Sequence, residues 1–165
     1  MASDPPAAVA IRPAAAGDAA ALGRLGAHLV AVHHGFDARR FIAPTPGTPA
    51  AYAAFLDQQR RRPEVVLLVA AEGEAVLGYA YAGVEGNDYM ALRGPAGVIY
   101  DLVVDPGRRR EGIGRRLLDA AIAALEALDA PRILLSTAEM NAPAQRLFGA
   151  AGFRRTMIEM TRERD

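Results

Sequence analysis

The residues best suited to chemistry lie in one run, Val98-Ile-Tyr-Asp-Leu-Val-Val-Asp-Pro-Gly-Arg-Arg-Arg-Glu-Gly-Ile-Gly-Arg-Arg-Leu118. A β-branched apolar segment breaks at Asp105-Pro106-Gly107, and Gly112 and Gly114 then open an amphipathic helix. Glycine has no Cβ, so the backbone there can come close to a ligand. The first N–H groups of a helix lack intrahelical acceptors and carry the positive end of its dipole, which suits a diphosphate. Arg108, Arg109, Arg110, Arg115 and Arg116 surround this turn and can add forked hydrogen bonds to phosphate. A nucleotide P-loop needs Lys followed by Ser or Thr after its last glycine, where this chain has Arg115-Arg116. A dinucleotide fingerprint needs a third glycine, and Leu117 stands there.

The segment resembles the acetyl-CoA motif of the GNAT superfamily, Arg/Gln-x-x-Gly-x-Gly/Ala, as Arg109-Arg-Glu-Gly112-Ile-Gly114. A second stretch, Asn141-Ala-Pro-Ala144-Gln-Arg-Leu147-Phe148-Gly-Ala-Ala-Gly152-Phe153, resembles the closing motif Asn-x-x-Ala-x-x-Leu-Tyr-x-x-x-Gly-Phe. The resemblance runs from Val9 onward, with its specific part between Val98 and Phe153. It implies a single-domain α/β GNAT fold: a mixed, mostly antiparallel sheet with helices on both faces and a splayed parallel pair of strands. It also implies transfer of an acetyl group from acetyl-CoA, as co-substrate, to a primary amine by direct attack in a ternary complex.

Carried over residue by residue, the resemblance places the pantetheine arm against the backbone of Leu102, Val103 and Val104. The Val103 N–H is expected to polarise the thioester carbonyl, a donor of a kind worth about 3–4 kcal/mol of transition-state stabilisation. Arg109, Arg110, Glu111, Gly112, Ile113, Gly114 and Arg115 are the expected diphosphate turn, with Asn141 and Phe148 further along the cofactor. An attacking alkylammonium must first lose a proton. Tyr100 holds the position where several relatives carry a catalytic Glu, and Asp101 is its neighbour. Strand alternation puts the two on opposite faces, so one of them at most is expected to face the substrate. Glu139 is a further candidate carboxylate. Phe148 stands where the family often has a tyrosine that protonates the departing thiolate, and phenylalanine cannot donate a proton. Water or Tyr100 must do so, or the thiolate leaves unassisted, as its modest basicity permits.

The substrate side is expected over the first two helices and their connection, at His33, His34, Phe36 and Asp37, near Arg39, Arg40 and Phe41. Adjacent histidines on a helix point about 100° apart, so no shared metal is expected. Asp37 and Asp88 are candidate partners for a cationic amine. A small-molecule amine is favoured. A protein N-terminal acetyltransferase and a non-catalytic acyl-CoA-binding regulatory module remain open readings.

Composition narrows the classes further. The 165 residues sit at the size of one domain, and 52% hydrophobic with 23% charged residues is an ordinary globular balance. Basic and acidic residues cancel at 19 each, so no net field calls for nucleic acid or a membrane surface. Every basic residue is Arg, which leaves no side-chain amine to acylate. With no cysteine there is no disulfide, thiolate metal site or cysteine nucleophile. No signal-peptide pattern and no apolar run of about 20 residues is present, so a cytoplasmic location is the expectation.

The elements that must position these residues follow from periodicity. Val9–Arg12 reads as a strand closed by Pro13. Asp18 can cap a helix whose Leu22, Leu25, Leu29 and Val32 share one face, with Gly35 ending it. The proline-rich stretch 43–49 is a loop. A second helix runs from Pro49 to Arg61, with Tyr52, Phe55 and Leu56 inward. Val65–Ala71 and Ala75–Val84 form an antiparallel pair, followed by a strand at 98–104 and a helix from Gly112 to Leu128. Strand 132–136, helix 143–150 and a last strand 153–161 complete the order. Met157, Ile158 and Met160 in that last strand make it a candidate edge for a homodimer contact. Residues 1–8 are expected to be a disordered tail and 9–162 the domain.

Overall fold

A computed structural model, which describes residues 8–164, has the expected α/β layering. Its elements are β1 (Ala10–Pro13), α1 (Ala19–Phe36), α2 (Thr48–Gln59), β2 (Val65–Glu72), β3 (Ala75–Glu85), β4 (Ala96–Val104), α3 (Ile113–Ala127), β5 (Ile133–Leu135) and α4 (Ala142–Ala150). The strands lie in the order β1-β2-β3-β4-β5. Neighbours are antiparallel throughout except for the parallel pair β4 and β5. The expected tail, apart from Ala8, lies outside the described residues.

Two apolar layers sandwich the sheet. On one face Leu22 and Leu25 of α1 and Leu56 of α2 pack against Leu67, Val69, Tyr79, Tyr81 and Val103. On the other, the stripe Ile113, Leu117, Leu118, Ala121 and Leu125 of α3 packs against Ala70, Ala80, Ala82 and Ile99. Each fully buried leucine of this kind contributes roughly 1.5–3 kcal/mol. α1 and α2 approach closely because α1 presents two glycines. A Cβ at Gly23 would strike the Pro49 carbonyl, and one at Gly26 would overlap the Tyr52 ring.

Several expectations are corrected. Asp18 precedes α1 but does not cap it with its side chain. Its carboxylate instead accepts from the two terminal Arg12 guanidinium nitrogens, at 2.7 and 2.9 Å, and from the Ala15 N–H at 2.7 Å. Gly35 does not end α1, which runs one residue further, to Phe36. In α2 Leu56 is buried and Tyr52 half-buried, but Phe55 is 45% exposed and lies edge-on to Tyr81. Tyr52 and Leu56, one turn apart, already fill the inward stripe of this short helix.

The largest correction is the last strand. Residues 153–164 form no strand, and Met157, Ile158 and Met160 are 80–89% exposed. Consecutive Met157 and Ile158 would point to opposite faces of a strand, so the segment has no single apolar face to bury. It is tied down by charge instead, through Arg40–Glu159 and Arg39–Glu163 ion pairs.

Candidate active site

β4 carries an irregularity that decides which side chains meet. Tyr81 pairs with Asp101 but the next residue, Ala82, pairs with Ile99, so Tyr100 is an extra residue in the ladder. Such a β-bulge interrupts alternation. Tyr100 and Asp101 therefore share a face instead of opposing each other, and both line one cavity of about 240 Å³. Leu102, His33 of α1, Tyr52 of α2 and Phe148 of α4 line it too. Side chains of α1, α2, β4 and α4, four elements far apart in sequence, thus converge at one site.

Asp101 sits at its polar centre. Its Oδ2 accepts from the Tyr52 hydroxyl at 3.0 Å and the Tyr79 hydroxyl at 2.9 Å. Burial pushes the Asp101 carboxyl above the usual carboxylate range, although both tyrosine hydroxyls and His33 pull the other way. Burial, with the Asp101 charge beside them, also raises Tyr52 and Tyr79 well above the ordinary phenol range, so both remain donors. The other carboxylate oxygen makes no hydrogen bond within the described residues and is not a buried orphan, so it is available to the cavity.

His33 Nδ1 lies 2.9 Å from the Leu29 carbonyl one turn back. A carbonyl only accepts, so Nδ1 carries a proton, and the lone pair of the neutral form is on Nε2. Phe36 and Phe41 hold the ring edge-on, at 5.8 and 5.1 Å between centroids. Tyr100 is committed differently. Its hydroxyl donates to Glu85 at 2.5 Å, and burial with that hydrogen bond raises it above the phenol range. It forms a wall of the site, stacked 4.8 Å from Tyr81, and is a poor acid.

Other predicted substrate residues fall outside the cavity lining. His34 bonds through Nδ1 to the Phe41 carbonyl at 3.0 Å and pins the loop. Asp37 accepts from the N–H groups of Arg39 and Arg40, and Phe36 supports His33. Asp88 closes its own turn on Met90 and Ala91. Glu139 contributes only its carbonyl, to Gln145 at 2.7 Å.

The strand backbone corrects the expected carbonyl-polarising donor. The Asp105 N–H donates to Leu77 at 2.7 Å, so residues 105, 103 and 101 turn their backbone polar groups toward β3. The Val103 amide is thus in the ladder with Tyr79, and it is Leu102 and Val104 whose groups face the β5 side. There the ladder ends at Ile99 opposite Leu135. Beyond that point the β4 edge lacks a strand partner among the described residues, an opening that an amide-bearing arm can fill.

At the end of β4 the chain turns through two left-handed residues, Arg110 at φ 67° and Gly112 at φ 77°. Gly112 immediately precedes α3. The first N–H past the turn to find an acceptor is that of Arg116, on the Gly112 carbonyl at 3.1 Å. From Arg109 to Arg115 no N–H donates within the described residues, so this row is available to phosphate oxygens. The arginines are less uniformly available than their spacing implied. Arg108 is held by Glu72 and Glu111, Arg115 by Asp119 and the Ala150 carbonyl, and Arg116 by the Val9 carbonyl. Arg109 rests only on His28, at 3.2 Å, and Arg110 makes no side-chain hydrogen bond or ion pair among the described residues. Asn141 caps α4, accepting from the Ala144 N–H at 3.3 Å.

Sequence reasoning missed Tyr52 and Tyr79 as partners of Asp101. A tyrosine inside a core strand needs a hydroxyl partner, and Tyr79 sits two residues from Tyr81, which faces Asp101 across the ladder. That signal was legible.

Comparison with known proteins agrees with this geometry. The profile of the Acetyltransferase (GNAT) family matches residues 31–153. A mycothiol acetyltransferase of Thermobispora bispora is 35% identical over 80 residues, covering 48% of this chain and 25% of that protein. One from Clavibacter michiganensis is 40% identical over 74 residues, covering 43% of this chain and 22% of that protein. The chain thus aligns with about a quarter of the length of these curated relatives. Among solved structures, an aminoglycoside N-acetyltransferase in complex with CoA superposes with a TM-score of 0.74 at 14% identity, over 99% of both chains. A transcriptional regulator from Bacillus halodurans gives a TM-score of 0.74 at 21% identity, over 94% of this chain and 99% of that one. No described helix is long and apolar enough to cross a membrane. With its family profile matched from α1 through the Gly-rich turn to the closing helix, this chain belongs to the GNAT acetyltransferase family.

Proposed function

We propose that the protein is an N-acetyltransferase that moves the acetyl group of acetyl-CoA to a small-molecule amine. The observation that carries this reading is the convergence of three features along β4: unpaired amides at 109–115, an unpartnered strand edge past Ile99, and a cavity holding Asp101 and His33. The first suits the diphosphate, with Arg109 and Arg110 as cationic arms not held by any carboxylate among the described residues. The second suits the pantetheine amides, which would pair with Leu102 and Val104. The third suits an amine.

In this reading the cavity oxygen of Asp101 takes the proton of the incoming ammonium, and His33 Nε2 accepts a second N–H and orients the lone pair. The freed amine attacks the thioester carbonyl carbon, and the Leu102 N–H donates to the oxygen as it gains charge. The nitrogen gives its surplus proton to His33 Nε2 as the C–S bond breaks, and the thiolate leaves unassisted or takes a proton from water. Phe148 has none to give, and Tyr100 holds its own on Glu85. Tyr52 and Tyr79 keep Asp101 in place throughout.

The test is thiol release from acetyl-CoA over a panel of amines, with acetyl-CoA binding followed separately by thermal shift. Amine-dependent release supports the reading. A binding shift with silence across the whole panel points to the non-catalytic module instead.

A further inference from the structure

We propose that the acceptor is a compact monoamine with an apolar or aromatic body, and not a polycation or an amino acid. This rests on the transferase reading above and names its substrate class. The cleft is small: its volume of about 240 Å³ lies below the range of roughly 300–1,000 Å³ typical of sites for drug-sized ligands. A multi-ring aminoglycoside or a long polyamine would leave most of its charged groups outside.

The charge inventory of the lining points the same way. Asp101 is its single carboxylate, so one ammonium can be neutralised there and a second cannot. Glu85, which accepts from the cavity-lining Tyr100 hydroxyl, is also held by Arg93. No arginine lines the cavity, so an amino acid would bring in its carboxylate with no cationic partner, only the Ser136 and Thr137 hydroxyls. Apart from the Ser136 and Thr137 hydroxyls, what remains is apolar: Val30 and Ile42 at one side, with the rings of Phe41, Tyr52, Tyr100 and Phe148 around the body of the ligand. Such rings favour an aromatic or branched aliphatic group, and their faces tolerate a nearby cation.

The experiment compares 2-phenylethylamine with phenylalanine, which adds only a carboxylate, and with spermidine and kanamycin as polycations. The readout is kcat/KM for thiol release, supplemented by amine-induced thermal shift with CoA present. The expected result is at least tenfold preference for 2-phenylethylamine over each of the others. Faster turnover of spermidine, kanamycin or phenylalanine overturns the inference and leaves the transferase reading standing. Silence with every amine removes both. A second arm places a carboxylate at the mouth with Ile42→Glu, a position 77% exposed and so tolerant of charge. It should move the ratio of 1,4-diaminobutane to 2-phenylethylamine upward by roughly fivefold, the scale of one added ion pair near the surface. An unchanged ratio would contradict the single-carboxylate argument.

Discussion

Asp101→Asn separates the two things that residue does. The amide keeps a carbonyl oxygen for the Tyr52 and Tyr79 hydroxyls but cannot take a proton at neutral pH. As a general base Asp101 contributes roughly 100–10,000-fold, or about 3–5 kcal/mol of barrier, and kcat/KM for the amine should fall by that much. Stability should move the opposite way. Burial raises the folded-state carboxyl above its unfolded value, so its contribution is complete below the unfolded range and is lost as pH rises through the folded value. At neutral pH the wild type therefore carries a penalty that Asn lacks. Hydrogen bonds weakened from the charged to the neutral class, by about 1 kcal/mol each, offset part of it. Urea denaturation from pH 4 to 8 should find the variant as stable as the wild type or more so at pH 7–8, the difference narrowing toward acid. A variant within about threefold of wild-type kcat/KM, with amine-dependent thiol release intact, would refute the base assignment. A loss of stability that grows with pH would refute the account of the buried carboxyl.

Gly26→Ala should displace the Tyr52 ring, which a Cβ there would overlap, lowering both the melting temperature and kcat. Gly112→Ala meets no neighbouring atom but must hold φ 77°, so we expect a loss of about 1 kcal/mol in denaturation and a higher KM for acetyl-CoA with kcat nearly unchanged. Asp18→Asn breaks the pair with Arg12 and should cost about 1–2 kcal/mol, discounted for the partly exposed guanidinium. Arg12 holds the Asp18 carboxyl below the usual range, so this contribution is present above the unfolded value and fades as pH falls through the folded one. Acid denaturation of the variant should therefore lack that component. Phe148→Tyr places a hydroxyl in the same cavity and should keep or increase turnover, and complete loss with acetyl-CoA binding intact would contradict the unassisted departure of the thiolate.

The local pattern of the chain determined most elements, because their signals are local. The apolar stripe of α3, the β-branched run of β2 and the glycines before α3 each express a period or a backbone freedom within a few residues. The row of unpaired amides before α3 was legible for the same reason: amides at a helix start are unpaired whatever surrounds them. Tertiary structure alone decided the rest. A single extra residue in the ladder put Tyr100 and Asp101 on one face, and no alternation rule reveals where a bulge falls. Hydrogen-bond parity along β4 moved the free amide from Val103 to Leu102 and Val104, since it depends on which partner β3 meets at which register. Ion pairs formed across the fold chose which arginines stay free. His33 and His34 are neighbours in sequence, yet α1 turns one into the cavity and the other onto the Phe41 carbonyl. Residue types fixed what chemistry was available, and three-dimensional registry fixed which atoms were left without a partner to perform it.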